Sequence, residues 1–247
     1  MRTSVRALSA CSVRKKLNMI PNWLMKDLNS LTVIVGHYGS GKTNLVMNLA
    51  LGIAQQGVAV TVIDMDIVNP YFRVSEQRRA LEEAGVELVA PVFSEAGTSL
   101  DVPSLTGRIL PAIEDASDDH IVIIDVGGDD AGSVALGRYA RAIETHGYDM
   151  YYVANRYRNL VQDIDDALLN MAEIEAASRL RLTGIVNNSH LQDSTDAQVV
   201  QDGLVYASEL SRRSGLRVIC TTVPSEIEEL MLDKLYPVER YVKAPWE

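Results

Sequence analysis

Gly36-His37-Tyr38-Gly39-Ser40-Gly41-Lys42-Thr43 sets glycines, a lysine and a threonine at the spacing G-x-x-x-x-G-K-[ST]. Glycines so placed let the backbone curl until successive N–H groups face one anion. A helix that starts at the lysine adds the positive end of its dipole. Gly36, Gly39, Ser40 and Gly41 would then cradle phosphates, and Asn44 faces the same ligand. Lys42 carries a fixed charge to the β- and γ-phosphates of a nucleotide, and the Thr43 hydroxyl can ligate Mg²⁺.

Two acidic sites have the chemistry to complete this one. Asp64-Met65-Asp66 closes an apolar run, and carboxylates at i and i+2 leave a strand on the same side. Asp66 is the candidate for orienting an attacking water and Asp64 for supporting the metal shell, and these two roles are exchangeable on sequence grounds. In His120-Ile121-Val122-Ile123-Ile124-Asp125, four apolar residues end in an acid that belongs beside the metal. Gly128 follows at the spacing Asp-x-x-Gly, where its N–H can sense a γ-phosphate and its loop is released when that phosphate leaves. Asp129 and Asp130 come next without an assigned role. The expected catalytic set is Lys42, Asp66 and Asp125; the expected metal set is Thr43, Asp64 and Asp125, directly or through water. Asn187 and Asn188 offer amides that both donate and accept along an adenine edge, with Asn188 favoured, and Pro224 closes the base pocket. No guanine-reading N-K-x-D motif is present, so the expected ligands are ATP and Mg²⁺.

These residues act together only if the chain gathers them. Strands are expected over 31–35, 58–63, 86–90, 121–124, 150–154, 182–186 and 216–221. Helices are expected over 43–55, 74–84, 104–113, 131–145, 160–180 and 196–214, with a short helix in the tail from 226. The stripe Val161, Ile164, Leu168, Met171 and Ile174 has the helical period. Alternating strands and helices imply a three-layer α/β fold, a mostly parallel sheet with helices on both faces. Such folds bind ligands at the carboxyl ends of strands, and Gly36, Asp64, Asp125, Asn155 and Asn187 each follow one. Residues 31–235 read as one nucleotide-binding domain. Residues 1–30 read as a basic extension, flexible or preceding a true start at Met19 or Met25, and 236–247 as a tail.

Of the 247 residues, 47% are hydrophobic, enough to bury one sizeable core. No apolar run approaches the roughly 18 residues of a membrane span. The net charge of −10 argues against nucleic acid as the main partner. Cys11 and Cys220 form no CxxC or CxC pair, which speaks against a disulfide framework and an intrachain zinc or iron–sulfur site.

The combination of this loop, Asp64-Met65-Asp66, Asp125-x-x-Gly128 and the asparagines near the sixth strand resembles the MinD/ParA/nitrogenase-iron-protein class of P-loop NTPases. It is more closely similar to a bacterial subfamily of the CobQ/CobB/MinD/ParA-type nucleotide-binding domain, through Asp66-Ile67-Val68-Asn69-Pro70-Tyr71-Phe72-Arg73. The resemblance implies the P-loop NTPase fold, ATP binding, slow hydrolysis, a homodimer that closes on nucleotide, and a cytoplasmic setting. It breaks at His37, where the class carries a lysine that reaches the partner's phosphates; Arg73 is the candidate substitute. The function expected is a Mg-dependent ATPase acting as a nucleotide-driven switch on a partner protein. The alternatives are a kinase- or ligase-type enzyme that activates a carboxylate with ATP, and an ATP-dependent maturation or metal-insertion factor.

Overall fold

From Leu31 to Val35 five apolar or β-branched residues run without a break, and all five are buried. Such a run suits a strand covered on both faces. In the computed structural model, which describes residues 19–66, 74–90, 107–128, 130–227, 230 and 232–242, the order of elements is as follows. Helix α1 (Asn22–Asp27) precedes β1 (Leu31–Val35), α2 (Lys42–Ala54) and β2 (Ala59–Met65). A 3₁₀ turn (Val74–Gln77) leads into α3 (Arg78–Glu83), β3 (Glu87–Val89), α4 (Ile109–Glu114) and β4 (His120–Val126). Then come α5 (Asp130–Leu136), α6 (Ala140–His146), β5 (Asp149–Ala154), α7 (Ile164–Ser178) and β6 (Gly184–Asn187). A second 3₁₀ turn (Gln192–Ser194), α8 (Ala197–Ser214), β7 (Val218–Pro224) and β8 (Leu235–Val238) complete the order.

The strands form one sheet in the order β3-β2-β4-β1-β5-β6-β7-β8, and every strand pair is parallel. Side chains alternate across it as a pleated strand requires. Leu31, Val33 and Val35 of β1 join Val122, Ile124 and Val126 of β4 under one helical layer. Ile34, Ile121 and Ile123 face the other. Helices α1, α2 and α3 cover this second face through Leu24, Leu45 and Leu81. Helices α4 to α8 cover the first through Ile109, Leu136, Ile143, Met171 and Leu210. The result is the three-layer α/β fold expected from the sequence. β1 lies between β4 and β5, so the chain crosses it in passing from one half of the sheet to the other, and the carboxyl end of β1 is the place such folds keep for ligands.

Four details depart from the sequence reading. The helix expected over 131–145 is two helices. Gly137 lies so near α7 that a Cβ there would sit 2.8 Å from the Ala177 carbonyl oxygen, and Arg179 donates to the Gly137 carbonyl, taking an acceptor from the helix. The helix expected from 160 begins at Ile164, because Leu160 has a left-handed φ of 69°. The tail forms an eighth strand over Leu235–Val238, and the short helix expected from 226 falls on a segment of which 228, 229 and 231 lie outside the described residues. Pro237 fits there because β8 is the edge of the sheet, where a missing N–H is tolerated. The packed unit also reaches past 31–235 at both ends. Ile20 and Leu24 are buried in the same cluster as Tyr236, and residues 239–242 are bonded to α2. The start of the helix expected over 104–113, and residues 1–18, lie outside the described residues.

Candidate functional site

The loop after β1 turns on glycines in left-handed or extended-positive backbone, with φ of 144° at Gly36, 73° at Gly39 and 90° at Gly41. Gly41 is the N-cap of α2, and a side chain there would also strike the Asn188 amide nitrogen. Lys42 opens the helix, is 6% exposed, and donates from Nζ to the His37 carbonyl at 3.2 Å. Its charge is thereby folded back over the loop. Ser40 is buried, and its Oγ has no hydrogen-bond partner.

Two parallel strands bring the acids to this loop. Asp64 and Asp125 are register partners at the ends of β2 and β4. The Thr43 hydroxyl donates to Asp125 Oδ2 at 2.8 Å, across 82 residues of sequence. Asp125 Oδ1 is buried with no hydrogen-bond partner. Burial, and then the charge of Asp64, push the Asp125 carboxyl up to about 8 against the pull of Lys42 and the Thr43 bond. Asp64 is fully buried and accepts the Asp66 N–H at 3.0 Å, so it also caps the turn that follows β2. Asp66 lines the open cavity beyond it. The pair read as i, i+2 is thus divided between an inner and an outer carboxylate.

A metal ion fits the inner group. Thr43 Oγ1 and the orphaned Asp125 Oδ1 are hard oxygen donors, and a buried carboxylate with a raised pKa is stabilised by a cation. Among the described residues no three His, Cys, Asp or Glu side chains form a ready-made metal cluster. The Thr43 and Asp125 oxygens could hold Mg²⁺, which binds through one or two protein oxygens and completes its shell with water and phosphate.

Gly128 lies against the loop itself. A Cβ at this position would fall 2.6 Å from both Tyr38 N and Cα and 2.8 Å from Lys42 Nζ. Only glycine lets the segment after β4 approach so closely.

A cavity of about 380 Å³ runs from the loop toward the carboxyl ends of β6 and β7. Asn188 forms its floor, donating from Nδ2 to the Ser40 carbonyl at 2.7 Å and accepting from the Thr222 hydroxyl. Pro224 and Asn44 line it as well. Asn187 does not line it: its amide is fully buried, donating to Thr221 Oγ1 at 3.3 Å and accepting from Ser189 Oγ at 2.8 Å. The far wall is the segment 238–242, strapped to α2 by two asparagines one turn apart. Asn44 and Asn48 donate to the Glu239 carbonyl at 3.0 and 2.8 Å, and accept from Tyr241 N and Glu239 N at 2.8 Å each.

Sequence patterns did not single out this strap, nor Arg158, His190 and Thr222, all of which line the cavity. The signal available for Arg158 was its place just after β5; His190 and Thr222 likewise stand at or near strand ends. Burial, with Arg158 and then Arg240 nearby, pushes the His190 imidazole down to about 4. Arg73 and Asp129 lie outside the described residues. Asp130 is the first residue of α5.

Fold and site together define a nucleotide-binding protein of the P-loop type. Residues 31–219 match the CobQ/CobB/MinD/ParA nucleotide binding domain, and the chain belongs to that family. It is 29% identical over 106 residues to the urease accessory protein UreG of Metallosphaera sedula, a match covering 40% of this chain and 50% of UreG. The chain therefore matches about half the length of that relative. The fold is similar to the signal recognition particle receptor FtsY of Elizabethkingia anophelis in complex with GDP, at a TM-score of 0.50 and 18% identity over 83% of this chain and 60% of FtsY. Chloroplast FtsY of Physcomitrella patens aligns at a TM-score of 0.52 and 19% identity, over 79% of this chain and 59% of its own. Among the described residues no helix is long and apolar enough to cross a membrane.

Proposed function

We propose that this chain binds and slowly hydrolyses ATP with Mg²⁺ and acts as a nucleotide-driven switch on a partner protein. The observation that carries the reading is the convergence of Lys42, Thr43 and Asp66 on one end of one cavity, with Asp125 bonded to Thr43 behind them; the four lie in three separate chain segments. In this reading the loop N–H groups and Lys42 bind the phosphates. Thr43 and Asp125, supported by Asp64, hold Mg²⁺, which supplies charge neutralisation at the transferred phosphoryl group. Asp66, on the cavity side, orients the water. Gly128, packed on Tyr38 and Lys42, transmits the presence of the γ-phosphate to the segment that leads into α5.

Base choice rests on Asn188. Its amide keeps a second N–H and a second lone pair after bonding to Ser40 and Thr222, a donor and an acceptor suited to adenine. Apolar surface at Tyr38, Leu160 and Leu169 stands exposed beside the Gly128 segment and supports a partner face there, including a second copy of the chain. The likeness to a urease accessory protein supports a second reading, in which the switch serves maturation of another enzyme.

Calorimetry with ATP and GTP, with and without Mg²⁺, tests the core of the proposal. ATP is expected to bind more tightly than GTP, and Lys42→Ala to abolish binding and turnover. Equal or tighter GTP binding overturns the base assignment; unchanged ATP binding by Lys42→Ala overturns the site.

A further inference from the structure

The loop meets its ligand with an unfavourable balance of charge. Lys42 stands beside the carboxylates of Asp64 and Asp66, while a nucleoside triphosphate brings several negative charges of its own. We infer that Arg158 is a second phosphate-positioning cation of this site, acting from the same chain on the polyphosphate held by the 36–43 loop. The inference rests on the nucleotide reading above and adds a residue to it.

Arg158 is built into place. Asn155 at the end of β5 is fully buried and shapes the turn: its Oδ1 accepts from Tyr157 N at 3.0 Å and His190 N at 3.3 Å, and its carbonyl accepts from Arg158 N at 3.1 Å. The Arg156 N–H donates to Ser189 Oγ at 3.2 Å and ties the same turn to the segment after β6. The guanidinium that this turn presents lies on Gly39. A Cβ at Gly39 would be 3.3 Å from both Arg158 Cζ and Nε, so the group stands beside the backbone that cradles phosphate.

Among the described residues nothing claims that guanidinium. Its Nε is buried without a hydrogen-bond partner. Among the described residues none of the ion pairs includes Arg158, whereas Arg240, the other arginine lining the cavity, is paired with Asp193 at 2.6 Å. A guanidinium offers five donors in a planar fork suited to phosphate oxygens. A buried donor without an acceptor, on the wall of an anion cavity and against the loop glycine, is explained by an anionic ligand. Neutral His190 next to it leaves the positive charge of this corner on Arg158.

The test is titration of the full chain with ATP, ADP and adenosine at low and moderate salt, for wild type, R158A, R158Q and R158K. Charge-assisted contacts to phosphate are strong and salt-sensitive, so R158A and R158Q are expected to weaken ATP and ADP about tenfold or more while leaving adenosine unchanged. Their ATP affinity should also depend less on salt. R158K, which keeps the charge without the fork, should recover part of the loss. An ATP affinity in R158A within about twofold of wild type overturns the inference, as does equal loss of ATP and adenosine, which marks a structural role. If R158A or R158Q does not fold, R158K carries the same decision through its ATP-to-adenosine ratio, which must fall. Wild-type protein that binds no nucleotide overturns the site itself, a result distinct from failure at Arg158 alone.

Discussion

Asp125→Asn should make the ligand-free protein more stable, increasingly so as pH rises. Asp125 has an ordinary pKa of 3.8 when unfolded and about 8 when buried beside Asp64. Between those values the folded chain keeps a proton that the unfolded chain has lost. The unfolded state then binds fewer protons, and stability falls as pH rises through this window. The slope for one group is at most about 1.4 kcal/mol per pH unit, so raising the pH from 5 to 7 removes on the order of 3 kcal/mol. Asparagine abolishes the titration and keeps an oxygen for the Thr43 hydroxyl. For a chain of this size the gap in melting temperature between variant and wild type should widen by about 5–10 °C over those two pH units. His190 pulls the opposite way, because its lowered pKa makes stability rise with pH between about 4 and 6.5. It is common to both proteins and leaves the difference untouched. Urea and thermal unfolding in EDTA, without nucleotide, measure the gap. Parallel curves for the two proteins from pH 5 to pH 7 refute the reasoning. With Mg²⁺ and ATP the order should invert, since only the carboxylate gains from the cation.

Asp66→Asn should retain ATP and slow hydrolysis by about tenfold or more in single turnover; wild-type turnover in this variant alongside a dead Asp64→Asn exchanges the two roles. Gly128→Ala should weaken ATP more than ADP, because its methyl group meets Lys42 Nζ and the Tyr38 backbone, and calorimetry that shows equal loss counts against the γ-phosphate assignment. Asn48→Ala should cost roughly 2–3 kcal/mol in urea unfolding, since it strips the Glu239 N–H of its acceptor and removes one of the two donors to the Glu239 carbonyl. Light scattering should find a dimer with a slowly hydrolysed ATP analogue; a monomer at saturating nucleotide rules out closure on a second copy.

The parts of the site legible in sequence are those whose chemistry is written in short, contiguous spacing. Lys42, Thr43 and Asp125 belong to patterns that each include their own strand, so their meeting across 82 residues followed from the fold. Asp64 and Asp66 were legible as a pair but not in their division, which depends on a backbone N–H turning back onto Asp64. Arg158 carries no spacing signature; only the turn set by Asn155 aims it at Gly39. The eighth strand was hidden by Pro237, a residue that reads as a breaker until the strand is known to be an edge. The break at Gly137 was hidden because it answers to the approach of α7, a contact that no local period records.

The strap over the cavity has a consequence for synthesis. Asn44 is made almost two hundred residues before its partners Glu239 and Tyr241. The loop and the inner carboxylates can assemble on a growing chain before residues 238–242, the far wall of the cavity, have been made. The loop of residues 36–43 therefore exists before the cavity beside it is walled in. On the proposed nucleotide reading, replacing Asn44 and Asn48, which hold that wall in place, should narrow the preference for ATP over GTP in calorimetry.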